Sequence, residues 1–229
     1  MKKYNLVLFD LDHTLWDYET NSKETLVELF ESYQLKKWNV QVDDFLASFS
    51  KINTALWDLY DRGQLHRDVI RFHRFEKILI ELGVDDYDLS LKLSTDYIEH
   101  SPKKPNLIDG AKEILDYLHP EYPMVIVTNG FDDVQGTKLS SSGITHYFKS
   151  VVTSARAGHK KPAREIFEFA LAENKVDSHQ AIMIGDNLNT DIAGAINANI
   201  DTVHFDLNGH VGSNANHKIS HLHQLKEIL

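Results

Sequence analysis

Residues 4–9, YNLVLF, are almost wholly apolar and then give way to carboxylates at Asp10, Asp12 and Asp17. So short an apolar run reads as a buried strand. From about Thr20 to Ser101 the pattern changes. In KETLVELFESY, VDDFLASFSKINTALWDLYDR, RDVIRFHRFEKILIELG and YDLSLKLSTDYIEH the apolar residues recur at helical spacing and mark one face of each segment. The first glycine of the chain is Gly63, and no strand pattern interrupts the block, so about four helices are expected there.

Beyond Pro102 and Pro105 short apolar runs alternate with amphipathic ones. Strands are expected at 123–130, 150–154, 180–187 and 201–206. Helices are expected at DGAKEILDYLH, DDVQGTKLSSSG, PAREIFEFALAENK and TDIAGAINANI, the third with its proline in the first turn. Strands alternating with helices define a parallel sheet. The chain is therefore α/β, with a Rossmann-like parallel-sheet core in residues 1–16 and 102–229. An all-helical segment, residues 17–101, is inserted directly after the first strand.

The strand ends carry the chemistry, because open parallel sheets bind ligands at the carboxyl ends of their strands. The first strand is followed by Asp10, Asp12 and Thr14, and the second ends on Thr128, Asn129 and Gly130. The third precedes a loop holding Lys160 and Lys161. The fourth leads into Asp186 and then Asp191. Four carboxylates at one edge call for a cation. Oxygen ligands favour Mg²⁺ over zinc, and Mg²⁺ prefers sites shared with phosphate. Backbone N–H groups at Thr128 and Asn129 can face an anion, and Lys161 adds positive charge. A carboxylate beside phosphorus can act as nucleophile, and a second one two residues away as general acid and then base.

Composition narrows the field. The 229 residues, 42% apolar, suffice for one large core or a core with an inserted domain. The absence of cysteine excludes disulfide scaffolds and thiol catalysis. A formal charge of −10 argues against binding a nucleic-acid polymer. The opening MKKYNLVLFDLD has an apolar run too short for a signal peptide, and nothing approaches the ~20 apolar residues of a membrane span. A cytoplasmic protein without membrane partners is expected, as monomer or homodimer.

In order and spacing, FDLDHTL, VTNG, KKP and GDNLNTD resemble the four motifs of the haloacid dehalogenase superfamily. The resemblance runs through nearly the whole chain, and the helical insert resembles the cap of members that act on small molecules. It implies Asp10 as nucleophile, forming an aspartyl-phosphate, and Asp12 as acid and then base. It also implies Mg²⁺ held by Asp10, Asp12 through its backbone carbonyl, and Asp186. Asp191 would support the metal shell or orient Lys161. Thr128, Asn129 and Lys161 would bind the phosphate, and Thr14 would fix the acid loop. His13 stands where many members carry glycine.

Each motif alone has a plainer reading. TNG is a common turn, and in GDNLNTD either Asn189 or Thr190 could simply cap a helix. The conjunction in order favours a Mg²⁺-dependent phosphomonoesterase acting on a small phosphorylated metabolite. A haloacid dehalogenase has no need of an acid at Asp12, because halide leaves without a proton. A phospho-accepting signalling domain has no need of so large an insert. For the leaving group, the first motif with the insert resembles the pyrimidine 5′-nucleotidase branch, which implies a nucleoside 5′-monophosphate. Phosphoglycolate or a sugar phosphate is the alternative. Trp16, Tyr18, Trp57 and Tyr60 could offer a stacking face for a base. Arg71 and Arg74, three apart in the insert, could share a face and meet substrate; otherwise they belong in surface ion pairs.

Overall fold

A computed structural model describes residues 3–207, 209 and 212–229. The chain begins with β1 (Leu6–Phe9) and passes into four helices: α1 (Tyr18–Ser32), α2 (Val42–Asp61), α3 (Arg74–Glu81) and α4 (Tyr87–His100). There follow α5 (Ala111–Leu118), β2 (Met124–Thr128), α6 (Asp132–Ser141), β3 (Phe148–Thr153), α7 (Ser154–Ala157) and α8 (Arg164–Asn174). The last elements are β4 (Ala181–Gly185), α9 (Ala193–Asn197), β5 (Asp201–Phe205) and β6 (His217–Ile219). Two compact units result, Met1–Tyr18 with Pro105–Leu229, and Glu19–Lys104. No helix among the described residues is long and apolar enough to cross a membrane.

The first unit is a six-stranded sheet of order β3-β2-β1-β4-β5-β6. Every pairing is parallel. The apolar runs have a direct cause: side chains alternate across the sheet, and both faces are covered. Val7 and Phe9 pack on one face with Ile126 and Ile184. Leu6 and Leu8 pack on the other with Val125, Val127 and Met183. Each such side chain contributes roughly 1.5–3 kcal/mol by leaving water. The strand order reverses between β1 and β4, and the crevice at such a reversal is where open α/β sheets bind ligands.

The second unit is held by the apolar stripes of its helices. In α2, Phe45, Phe49 and Leu56 are buried, and rings of Phe45, Phe49, Phe75 and Tyr97 meet at centroid distances of 5.1 to 6.3 Å. Asp86 caps α4 by accepting a hydrogen bond from Leu89 N at 2.9 Å. The third expected helix is not uniform. A π-helical turn at Val69–His73 precedes α3, and its wider winding shifts the face presented by the following residues.

Two local expectations are corrected, and one element is added. Pro162 lies outside α8, whose cap is Ala163, and it follows a cis peptide bond with Lys161. The helix expected from Thr190 begins as a π-helical turn at Leu188–Ile192 and is capped by Asn187 rather than Asn189 or Thr190. Asn187 Oδ1 accepts from Asn189 N at 2.9 Å and from Thr190 N at 3.2 Å. The short edge strand β6 has no counterpart in the apolar pattern.

Candidate active site

The loop after β1 sets the first acids. Asp10 N still belongs to the sheet and donates to Ile184 O at 2.9 Å. The chain then folds back on itself: Trp16 N donates to Leu11 O at 2.8 Å, and His13 N to Trp16 O at 3.0 Å. His13 takes φ 64°, in the left-handed region. That region disfavours a side chain, so the backbone explains why glycine suits this position. Thr14 is wholly buried and its hydroxyl lies 3.4 Å from Asp186 Oδ1.

Lys161 is the centre of the site. Its buried ammonium donates to Asp10 Oδ1 at 2.5 Å, Asp191 Oδ1 at 2.6 Å and the Val127 carbonyl at 2.8 Å. The three contacts use all its donors. The expected preference for Lys161 over Lys160 is matched by burial, since Lys161 is 2% exposed. Asn129 positions it. Asn129 Nδ2 donates to Lys161 O at 3.0 Å, and Lys161 N donates to Asn129 Oδ1 at 2.8 Å. Thr128 Oγ1 accepts from Gly130 N at 2.9 Å, which leaves the hydroxyl proton available to donate.

Asp10, Asp186 and Asp191 bring carboxylate oxygens within 4.8 Å of one another. Asp191 reaches this position because residue 185 is glycine: a Cβ there would lie 2.3 Å from Asp191 Oδ2. The same oxygen accepts from Asn187 N at 3.1 Å. Burial pushes the Asp10 carboxyl well above its ordinary range; the Lys161 charge pulls it down, and the charges of Asp191 and Asp186 push it further up. Burial and then the Asp191 charge push Asp186 up to about 7. Burial pulls Lys161 down, yet Asp10 and Asp191 overcome it and hold the ammonium above its usual value. With all three carboxylates ionised, as metal ligands must be, one ammonium would leave two negative charges in the cluster. A divalent cation with hard oxygen preferences fits that donor set and that charge.

Asp12 stands outside this group of three. Its carboxylate is gripped by Lys138 of α6, whose Nζ lies 2.6 Å from Oδ1 and 2.8 Å from Oδ2. Sequence reasoning did not find Lys138. Nothing local marks it: the burial of Gln135 and Lys138, in a helix with little apolar character, is visible only in the structure. Trp16 is wholly buried, so it has no open face for a base. Trp57 and Tyr60 meet edge to face at 5.5 Å.

In the helical unit, Arg74 does not sit in a surface ion pair. It is 4% exposed, donates to Asn53 Oδ1 at 2.7 Å, and its guanidinium lies 4.4 Å from the Tyr97 ring and 4.9 Å from that of Phe49. Arg71 falls within the π-helical turn and is half-buried.

A parallel sheet with acids and a hydroxyl at the ends of its inner strands, and a shared lysine from the loop beyond β3 and α7, is an α/β enzyme core. A family model described as haloacid dehalogenase-like hydrolase matches residues 7–205. The chain belongs to that family. Among curated proteins it is 32% identical to the HAD-hydrolase YfnB of Bacillus subtilis, over 88% of this chain and 84% of that one. It is 29% identical to the pyrimidine 5′-nucleotidase YjjG of Escherichia coli, over 99% and 98%. It is 36% identical to the glyceraldehyde 3-phosphate phosphatase of Methanothermobacter thermautotrophicus, over 86% and 83%. The crystal structure of YfnB bound to magnesium has a TM-score of 0.87 with this chain at 29% identity, covering 100% of this chain and 99% of that one.

Proposed function

We propose that the protein is a Mg²⁺-dependent phosphomonoesterase that works through an aspartyl-phosphate on Asp10. The observation that carries this reading is Lys161 shared between Asp10 and Asp191, in a cluster of three acids whose carboxylate oxygens lie within 4.8 Å of one another. Asp10, Asp186 and the Asp12 carbonyl are the ligands we assign to Mg²⁺, with Asp191 supporting them. When bound, the ion would neutralise the acids and draw charge from the phosphoryl oxygens.

The chain's own groups then divide the work. Lys161 occupies Asp10 Oδ1, and among the described residues no donor reaches Oδ2. Oδ2 attacks phosphorus and the P–O bond to the leaving group breaks. Asp12 gives its proton to the departing alkoxide. The Thr128 hydroxyl and the backbone N–H of Asn129 hold the phosphoryl oxygens, and Lys161, its own donors engaged by Asp10, Asp191 and Val127, neutralises their charge from beside them. In the second half, Asp12 takes a proton from water, the resulting hydroxide attacks phosphorus, and Asp10 leaves as carboxylate with release of phosphate. The helical unit, Glu19–Lys104, serves in this reading as the substrate-selecting cap domain, and the sheet unit as the catalytic core.

For the leaving group we favour a nucleoside 5′-monophosphate, supported by the end-to-end likeness to YjjG. A sugar phosphate is the second reading, supported by the 36% identity to a glyceraldehyde 3-phosphate phosphatase. The test is release of inorganic phosphate from a panel of nucleotides, sugar phosphates and phosphoglycolate, with Mg²⁺ and with chelator. Nucleotides should give the highest kcat/KM. Preference for a triose or pentose phosphate would favour the second reading, and no turnover of any ester would defeat both.

A further inference from the structure

We infer that Lys138 is a positioning residue for the general acid and base, and that it acts through Asp12. The inference rests on the phosphatase reading above. Lys138 is 7% exposed, and its ammonium contacts both oxygens of Asp12, at 2.6 and 2.8 Å. The same ammonium lies 4.5 Å from the centroid of the buried Trp16 ring. Trp16 is joined to Asp12 by a backbone bridge and to Leu107 by another. Lys138 therefore ties α6 to the acid loop at two points.

A buried lysine is a costly way to fill space, and packing alone would be met by an apolar side chain of similar length. What the charge adds is direction. Asp12 is the acid-loop carboxylate that Lys161 does not reach: Lys161 serves Asp10 and Asp191, while Lys138 serves Asp12. A carboxylate offers about four lone-pair sites. A lysine astride the two oxygens uses one on each and leaves one on each for the leaving-group oxygen or the attacking water. The rotamer of Asp12 is thus set before substrate arrives, and this pre-arrangement is what makes proton transfer efficient.

The test compares wild type with Lys138→Met, which keeps an unbranched stem against Trp16, and Lys138→Arg, which restores a two-pronged donor. Rates are measured at saturating Mg²⁺ on p-nitrophenyl phosphate and on alkyl phosphates, with circular dichroism as the fold check. A misplaced acid matters most for basic leaving groups. Lys138→Met should lose about tenfold or more on alkyl esters beyond its loss on the nitrophenyl ester, since general acid catalysis supplies 10²–10⁴-fold in all. It should also release a burst of nitrophenol followed by a slow phase, because water attack on the aspartyl-phosphate needs the same carboxylate. Lys138→Arg should recover most of both. If the Met variant does not fold, Lys138→Gln against Lys138→Arg makes the same comparison. An equal loss across all leaving groups without a burst, or no loss, would overturn the role of Lys138 while leaving the phosphatase reading intact. Absence of turnover in wild type would overturn the phosphatase reading, and the inference with it.

Discussion

Asn129 and Lys161 hold each other by a reciprocal pair of hydrogen bonds, side-chain amide to carbonyl at 3.0 Å and backbone N–H to side-chain oxygen at 2.8 Å. The end of one strand thereby fixes the backbone of a loop that belongs to another, and with it the ammonium between Asp10 and Asp191. Asn129→Ala should leave a buried N–H and carbonyl unpaired, at about 1–3 kcal/mol each. A reacting group displaced by about 1 Å can lose ~10²-fold in rate. Steady-state kinetics and thermal melts on the variant should show both losses. Full activity would detach Asn129 from the placement of Lys161.

Asp10→Asn should reduce turnover to background, because it removes the nucleophile and a metal ligand together. Its metal-free melting temperature should not fall. The exchange removes the cost of burying a carboxylate charge, the largest influence on Asp10, and leaves Asp191 to pair with Lys161. Near-normal phosphate release would remove Asp10 from the role of nucleophile, and a large drop in melting temperature would contradict the charge argument.

The carboxyl of Asp186, raised to about 7, gives a pH dependence with a definite sign. Its folded value lies above the ordinary unfolded one, near 4. The metal-free fold therefore binds the extra proton more tightly, and it loses that stabilisation as pH rises from about 4 to about 7. Mg²⁺ requires the deprotonated ligand. Its apparent affinity should climb with pH as Asp186 and Asp10, both raised, give up their protons, by about tenfold per unit for each proton displaced. Calorimetric titration of Mg²⁺ between pH 5.5 and 8.5 measures this directly. A flat affinity would mean that Asp186 does not titrate in the binding step.

Gly185→Ala places a methyl group 2.3 Å from Asp191 Oδ2 and 2.6 Å from its Cβ and Cγ. Overpacking of this kind costs about 1–3 kcal/mol. Here it should also push Asp191 off Lys161, so activity should fall by more than stability. A variant with wild-type kcat would show that the Asp191–Lys161 contact is dispensable.

Sequence reasoning went furthest where one physical rule dominates. The inner strands were legible because both sheet faces are covered, which makes Leu6–Phe9, Met124–Thr128 and Ala181–Gly185 apolar throughout. Their ends located the residues that gather around Lys161. What was not legible depends on contacts between distant segments. Lys138 meets Asp12 across 126 positions, and no local pattern announces such a pair. The π-helical turns at Val69–His73 and Leu188–Ile192 hide within ordinary helical spacing. β6, three residues of mixed polarity at the sheet edge, lacks the apolar run that reveals its neighbours. Arg74 looked like a surface charge because arginine so often is one; its burial depends on Asn53 and Tyr97, which no neighbour in sequence implies.

Asp17 N donates to Asn106 O at 3.1 Å, so the chain leaves the sheet unit and returns to it at points one hydrogen bond apart. The eighty-odd residues between them are, for the sheet, a single long loop. The entropy of closing such a loop grows slowly with its length, about 0.6 kcal/mol per doubling. Such a junction behaves as a graft point: a different helical segment with adjacent ends could be spliced in at Asp17 and Asn106, and a lineage could acquire a new substrate range by the same exchange without rebuilding the acids of the sheet unit.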